Sequence, residues 1–197
     1  MKAVIFASQE EAEPFLRAYK RGRFGGLQEG ETMHDDAILV TIVGIGKIKA
    51  TLRTERLLKT HRPELVLHAG TCTALVPDLE VGSLFAAEQV FEGDRIELAT
   101  PTYPRMPLDT PFAKVRKGTL VTQDHTLHGS QALSYWQRIA DANDMTGYAV
   151  AYVTATHGLT CQILKVVTGR FGTDDLSLKR TLAASYETLA KALVAHF

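Results

Sequence analysis

Cysteine is scarce in this sequence, with Cys72 and Cys161 the only two in 197 residues. They form neither a dense disulfide framework nor a CxxC ligand pair, so a disulfide scaffold and a zinc ribbon are excluded and neither metal nor cofactor is expected. Excess charge is missing too, with 22 basic side chains against 22 acidic ones. That balance removes the usual electrostatic reason to expect nucleic acid or an anionic membrane as partner, and a compact, roughly neutral small molecule fits better. Long apolar runs are absent. The first, Ala3 to Ala7, is broken at once by Glu10 and Glu11, and none approaches the ~20 residues that span a bilayer. The expected setting is the cytoplasm, where two free thiols stay reduced.

What is present is the make-up of an ordinary globular domain, 45% hydrophobic and 22% charged. The length suits one core, so residues 1–197 are expected to form a single domain. Short apolar runs alternate with helical periodicity. Ala3–Ala7, Ala37–Val43 and Leu65–Ala69 read as buried strands, and Ile48, Leu52 and Leu58 read as the buried stripe of a helix that stops near Pro63. Strand, helix, strand in that order implies a right-handed parallel crossover. Ser83–Phe91, Thr119–Thr122 and Gln162–Thr168 are further strands. Two more helices carry core stripes, at 145, 148, 149, 152 and 153, and at Leu182, Tyr186, Leu189, Leu193 and Phe197. The architecture expected is α/β, a three-layer domain with a mixed, mostly parallel central sheet flanked by helices. Ala99–Pro111 holds four prolines and is expected to be an irregular loop.

In open α/β sheets ligands bind beyond the carboxyl ends of strands, which selects four segments. Ser8-Gln9-Glu10-Glu11-Ala12 places two carboxylates after the first strand, where acidic residues also stabilise a helix N-terminus. Gly44-Ile45-Gly46-Lys47 lacks both the third glycine of a dinucleotide fingerprint and the spacing of a P-loop, so it reads as a tight strand-to-helix turn. Gly70-Thr71-Cys72-Thr73-Ala74 offers small and hydroxyl-bearing residues that admit a ligand close to the backbone, or form a plain turn. Asp144-Met145-Thr146-Gly147 opens a helix, with Asp144 suited to cap it.

In this order and spacing the segments resemble the nucleoside phosphorylase and nucleosidase superfamily, above all the methylthioadenosine and S-adenosylhomocysteine nucleosidases. VIFASQEEAEPFL at 4–16 is similar to the family's opening strand, VGIGKIKA at 43–50 to its GIGK motif, and ELVLHAGTCTAL at 64–75 to its ligand loop. VGSLFAAEQVFEGD at 81–94 resembles the strand that follows. GTLVTQDHTL at 118–127 resembles the base-contacting segment, and DMTGYAVAYV at 144–153 the family's helix start.

The resemblance implies hydrolysis of the N-glycosidic bond of a purine nucleoside or related conjugate. It gives Glu11 the role of orienting water. It assigns ligand contacts to Gly70, Thr71, Cys72, Thr73, Thr126, Leu127, Met145 and Thr146, with Asp124 structural. It also implies a homodimer in which Tyr103, Met106 and Pro107 cover the partner's pocket, the alternative being a self-packed surface loop.

Two departures stand out. Thr146 occupies the place of a sugar-binding glutamate, and Thr168-Gly169-Arg170 stands where the family has a serine and the aspartate that helps protonate the leaving base. His125, Asp174 and Asp175 are the candidate replacement acids, His125 foremost because it titrates in the useful range. Hydrolysis is favoured over phosphorolysis, since a phosphate anion after the first strand would meet Glu10 and Glu11. The alternative function is a nucleoside-binding protein impaired in catalysis by the two lost acids.

Overall fold

The computed structural model describes residues 1–22, 24–94, 104–127, 129–171 and 175–197, with side chains described from 181 onward in the last stretch. Its first strand, β1 (Lys2–Phe6), is buried almost throughout and feeds α1 (Gln9–Ala18). Next come β2 (Thr32–His34), β3 (Ile38–Ile42), α2 (Lys47–His61) and β4 (Leu65–Ala74). The middle of the chain holds β5 (Leu84–Glu92), β6 (Met106–Pro107), β7 (Arg116–Thr122) and α3 (Ser130–Trp136). The chain closes with β8 (Ala142–Asp144), α4 (Gly147–Thr156), β9 (Thr160–Arg170) and α5 (Asp175–His196). No described helix is long and apolar enough to cross a membrane.

The sheet order is β2-β3-β1-β4-β8-β7-β5-β6, and β9 pairs with both β4 and β5. The strands β4, β8, β7, β5 and β9 therefore form a closed circuit, where a layered open sheet was expected. Length makes this closure possible. The ten residues of β4 pair with β1 near their start and with β8 at Thr73 and Ala74, while the other edge follows β9 along its whole length. A register shift between Cys72 and Thr73 bends the strand as a bulge does. Among the described residues five pairings are parallel and four antiparallel, so the sheet is mixed.

Several local expectations are corrected. Gly70–Ala74 is not a loop after a strand but the second half of β4. Within the proline-rich stretch, Met106 and Pro107 pair with Val90 and Gln89 as a short strand, because proline is tolerated on a sheet edge where no ladder donor is needed. Tyr103 lies outside the described residues. The helix stripes shift as well. Ile48 and Leu52 are 75% and 65% exposed, whereas Leu58 is buried as expected, together with Ala50, Thr54 and Leu57. On α4 the small residues Ala149, Val150, Ala151 and Val153 turn inward, whereas Tyr152 is 52% exposed and stacks on Tyr148. On α4, which packs against the sheet, small side chains take the closest approach and Tyr152 is left outside.

Candidate functional site

The carboxyl end of β1 meets the start of α1 at Ser8, whose hydroxyl accepts from the Glu11 N–H while the Glu11 carboxylate reaches back to the Ser8 N–H. This capping box fixes the helix entry and turns Glu11 inward, leaving Glu10 exposed. The second bond set crosses to β4. Glu11 Oε1 accepts from Thr71 N at 2.7 Å and from Thr71 Oγ1 at 2.6 Å, and Oε2 accepts from Ala7 N and Ser8 N, each at 3.2 Å. All four acceptor positions of the carboxylate are thereby filled. Gly70 makes room for it, since a Cβ there would lie 3.0 Å from both Glu11 oxygens.

Glu11 borders a cavity of about 340 Å³. Thr71, Cys72 and Thr73 line it from β4, Met145 and Thr146 from the turn before α4, and Thr126 from the segment after β7. Those residues, far apart in sequence, are brought together. Leu127 is not; it packs with Phe91, Val121 and Trp136 in a separate apolar cluster. His125 is also outside, half exposed, with Nδ1 3.0 Å from Asp94 Oδ1. Asp124 is structural, as expected: its Oδ1 accepts from Lys47 N at 2.8 Å at the start of α2. Lys47 itself ties to Glu92 and Asp94, both at 2.6 Å. The Gly44-Ile45-Gly46-Lys47 segment is therefore a turn, with φ of 86° and 96° at its two glycines.

The floor holds residues that the sequence reading did not select. Lys165, only 1% exposed, reaches from β9 to Asp144 Oδ2 at 2.8 Å and to His68 Nε2 at 2.9 Å. His68 is fully buried, and its Nδ1 lies 3.0 Å from the Ile5 carbonyl oxygen. A carbonyl only accepts, so Nδ1 carries the hydrogen and Nε2 is the acceptor for Lys165. Thr146 Oγ1 sits 2.9 Å from the same nitrogen and 3.4 Å from Asp144 Oδ2, so its proton is engaged within the cluster. Asp144 also accepts from Thr122 Oγ1 at 2.6 Å and from the Gly147 N–H at 2.9 Å, capping α4 as its sequence position suggested.

Charge in this floor is set by pairing. Desolvation pushes Asp144 upward, but the Lys165 charge and the surrounding donors outweigh it and hold the carboxyl well below the usual range. Burial lowers His68, the Lys165 ammonium lowers it further, and the imidazole is neutral. Burial raises the Cys72 thiol, so that thiol is a packing group and not a nucleophile. Lys165 and His68 carried one signal in the sequence: both sit mid-strand in otherwise apolar runs, where a polar side chain must find a partner.

A family model for the phosphorylase superfamily matches residues 2–113. The chain belongs to the phosphorylase superfamily. Among relatives of this superfamily member, aminodeoxyfutalosine nucleosidase of Helicobacter pylori is 23% identical over 219 residues, covering 96% of this chain and 94% of the relative. The 5'-methylthioadenosine/S-adenosylhomocysteine nucleosidase of Geobacillus kaustophilus is 31% identical over 108 residues, covering 48% of this chain and 42% of the relative. The crystal structure of Helicobacter pylori 5'-methylthioadenosine/S-adenosyl homocysteine nucleosidase aligns with a TM-score of 0.82 at 21% identity, covering 98% of this chain and 96% of that one. The apo 5'-methylthioadenosine nucleosidase of Arabidopsis thaliana aligns with a TM-score of 0.80 at 21% identity, covering 100% and 94%. The fold of these two structures is thus shared over 98% and 100% of the chain.

Proposed function

We propose that this protein hydrolyses the N-glycosidic bond of a purine nucleoside or related conjugate, in a cavity where Glu11 activates water. The observation that carries the reading is the double anchoring of Glu11 on Thr71 at the edge of that cavity. Of the four donors that fill the carboxylate, three are backbone N–H groups; the Thr71 hydroxyl alone can rotate. When it turns away, an incoming water donates to Oε1. The carboxylate then takes the proton as the water oxygen attacks the anomeric carbon, and the base departs with the bonding electron pair. Hydrolysis fits better than phosphorolysis because Glu10 and Glu11 together repel an anion at this position. The relatives whose names specify nucleosidases support the reading.

A second reading, a nucleoside binder with weak catalysis, is favoured by one specific arrangement. The Thr146 hydroxyl is engaged by His68 and Asp144, and Gly169 pairs with Thr73 in the sheet and has no acid to give. With His125 held by Asp94, the described cavity lining has no histidine to take the place of the lost aspartate as proton donor to the leaving base.

We further infer a homodimer. Ile45, Ile48, Leu52 and Tyr152 are all more than half exposed on α2, on the turn before it and on α4, and Met106 borders the groove beside Tyr148 and Tyr152. A second copy covering this apolar face accounts for residues that a monomer would leave in water. The two buried free thiols suit a reducing cytoplasm.

The decisive experiment incubates the purified protein with a nucleoside panel, with and without phosphate, and follows released base by chromatography. Base released equally without phosphate, below the ordinary range of about 1–1,000 per second, is expected. Release that requires phosphate overturns hydrolysis, and binding without any release leaves the binder.

A further inference from the structure

Beside Thr146, which stands where the family resemblance places a carboxylate, the floor of the cavity presents a donor. An ammonium has three N–H groups, and Lys165 spends two of them on Asp144 and His68. The third has no protein partner among the described residues, although the side chain is 1% exposed and borders the cavity. Its position is fixed from both sides. Lys165 lies opposite Gly70 in the β4–β9 register, on the face where the missing Cβ admits the Glu11 carboxylate. His68 stands two residues before Gly70, so it shares that face, and its locked tautomer directs the Nε2 lone pair at Nζ.

The acceptors named on this floor are already engaged. Glu11 has all four positions filled, and the Nε2 lone pair of His68 is taken. A sugar hydroxyl lying on this floor therefore gains most by offering its oxygen to a fixed cationic donor.

We propose that Lys165, positioned by His68 and Asp144, binds a sugar hydroxyl oxygen of the nucleoside and is a specificity-determining residue of the cavity. This rests on the nucleoside reading given above. The grip differs in kind from that of a carboxylate, which accepts from hydroxyls. Here the ligand is recognised by an oxygen lone pair, and removing that oxygen leaves a buried ammonium proton unpaired.

The test couples the ligand to the protein by calorimetry, using 5'-methylthioadenosine and its 2'-deoxy and 3'-deoxy analogues. In wild type, one of the two deoxy analogues is expected to bind about tenfold or more weaker, the scale of one hydrogen bond to a charged group. In Lys165→Met combined with Asp144→Asn, which removes both charges together, that penalty is expected to shrink to within about threefold. His68→Asn provides a second variant that keeps the ion pair but loses the Nε2 acceptor, and it too should shrink the penalty. If the double variant does not fold, as judged by its melting transition, His68→Asn alone decides.

An equal penalty in wild type and variants, or no penalty in wild type, overturns the role of Lys165 while leaving the nucleosidase reading intact. A wild type that binds none of the three, nor any nucleoside of the panel, overturns both.

Discussion

Glu11 and Thr71, 60 residues apart in sequence, meet through two hydrogen bonds to a single carboxylate oxygen, one from the Thr71 N–H and one from its hydroxyl. The contact joins the first helix to the middle of the longest-range strand pairing, and it makes one side chain serve as helix cap, sheet anchor and proposed base.

Glu11→Gln separates these roles. A glutamine retains one acceptor oxygen, but its NH₂ must face two of the four donors that now point at the carboxylate. We expect a loss of stability of about 1–3 kcal/mol and a fall in turnover of about a hundredfold or more, with nucleoside binding retained. Thermal melts, calorimetry and base release measure the three quantities. Unchanged turnover in a folded variant would reject the assigned role.

Gly70→Ala tests the same contact from beneath. The added Cβ lies 3.0 Å from both Glu11 oxygens, and the carboxylate cannot retreat without breaking its bonds to backbone N–H groups. The expected cost is about 1–3 kcal/mol, accompanied by loss of turnover. A variant with wild-type melting temperature and wild-type activity would show that this packing does not constrain Glu11.

Acid should destabilise the protein in two stages. Burial, and then the Lys165 ammonium, hold folded His68 below its ordinary value, while Asp144 and Ile5 oppose that shift. As pH falls below about 6.5 the unfolded histidine takes up a proton that the folded one refuses, so the unfolded state gains, by up to ~1.4 kcal/mol per pH unit for one site. His196, lowered by partial burial and by Lys2, adds in the same direction. Asp144 is also held low in the fold, so its contribution is present above about pH 4 and is lost as pH falls through its folded value. We expect melting temperature to decline from pH 7 to pH 5, and His68→Asn to flatten that decline. Parallel curves for wild type and variant would remove His68 as the cause.

The exposed face of α2 predicts the assembly state. Ile48→Glu together with Leu52→Glu should convert a dimer into a folded monomer of 21.6 kDa, seen by light scattering at micromolar concentration. A wild type already monomeric under those conditions would show that the face serves some other purpose.

Most of the strands and the long helices were legible in the sequence, because a run such as Ala3–Ala7 or Leu65–Ala69 is apolar on both faces and has one stable home, the interior of a sheet. The grouping of Glu11, Thr71, Cys72, Thr73, Thr126, Met145 and Thr146 around one cavity was legible through family resemblance. Periodicity failed on α2 and α4. It selects the large apolar residues as core, whereas α4 meets the sheet through Ala149, Val150, Ala151 and Val153, and α2 buries Ala50, Thr54, Leu57 and Leu58, leaving Ile48, Leu52 and Tyr152 outside.

By itself the sequence determined the local choices: the Ser8 and Glu11 capping box, the glycine turns at 44 and 46, and the alternation of strand with helix. These depend on residues within a few positions of one another. Only the tertiary structure decided that β9 closes a circuit between β4 and β5, that His125 turns to Asp94, and that His68, Asp144, Thr146 and Lys165 share one buried floor. Those four residues come from β4, the end of β8, the turn before α4 and β9, and a lone polar residue in an apolar strand does not reveal its partner. The partner is fixed by which strands lie side by side, and that is settled by chain closure across the whole sheet.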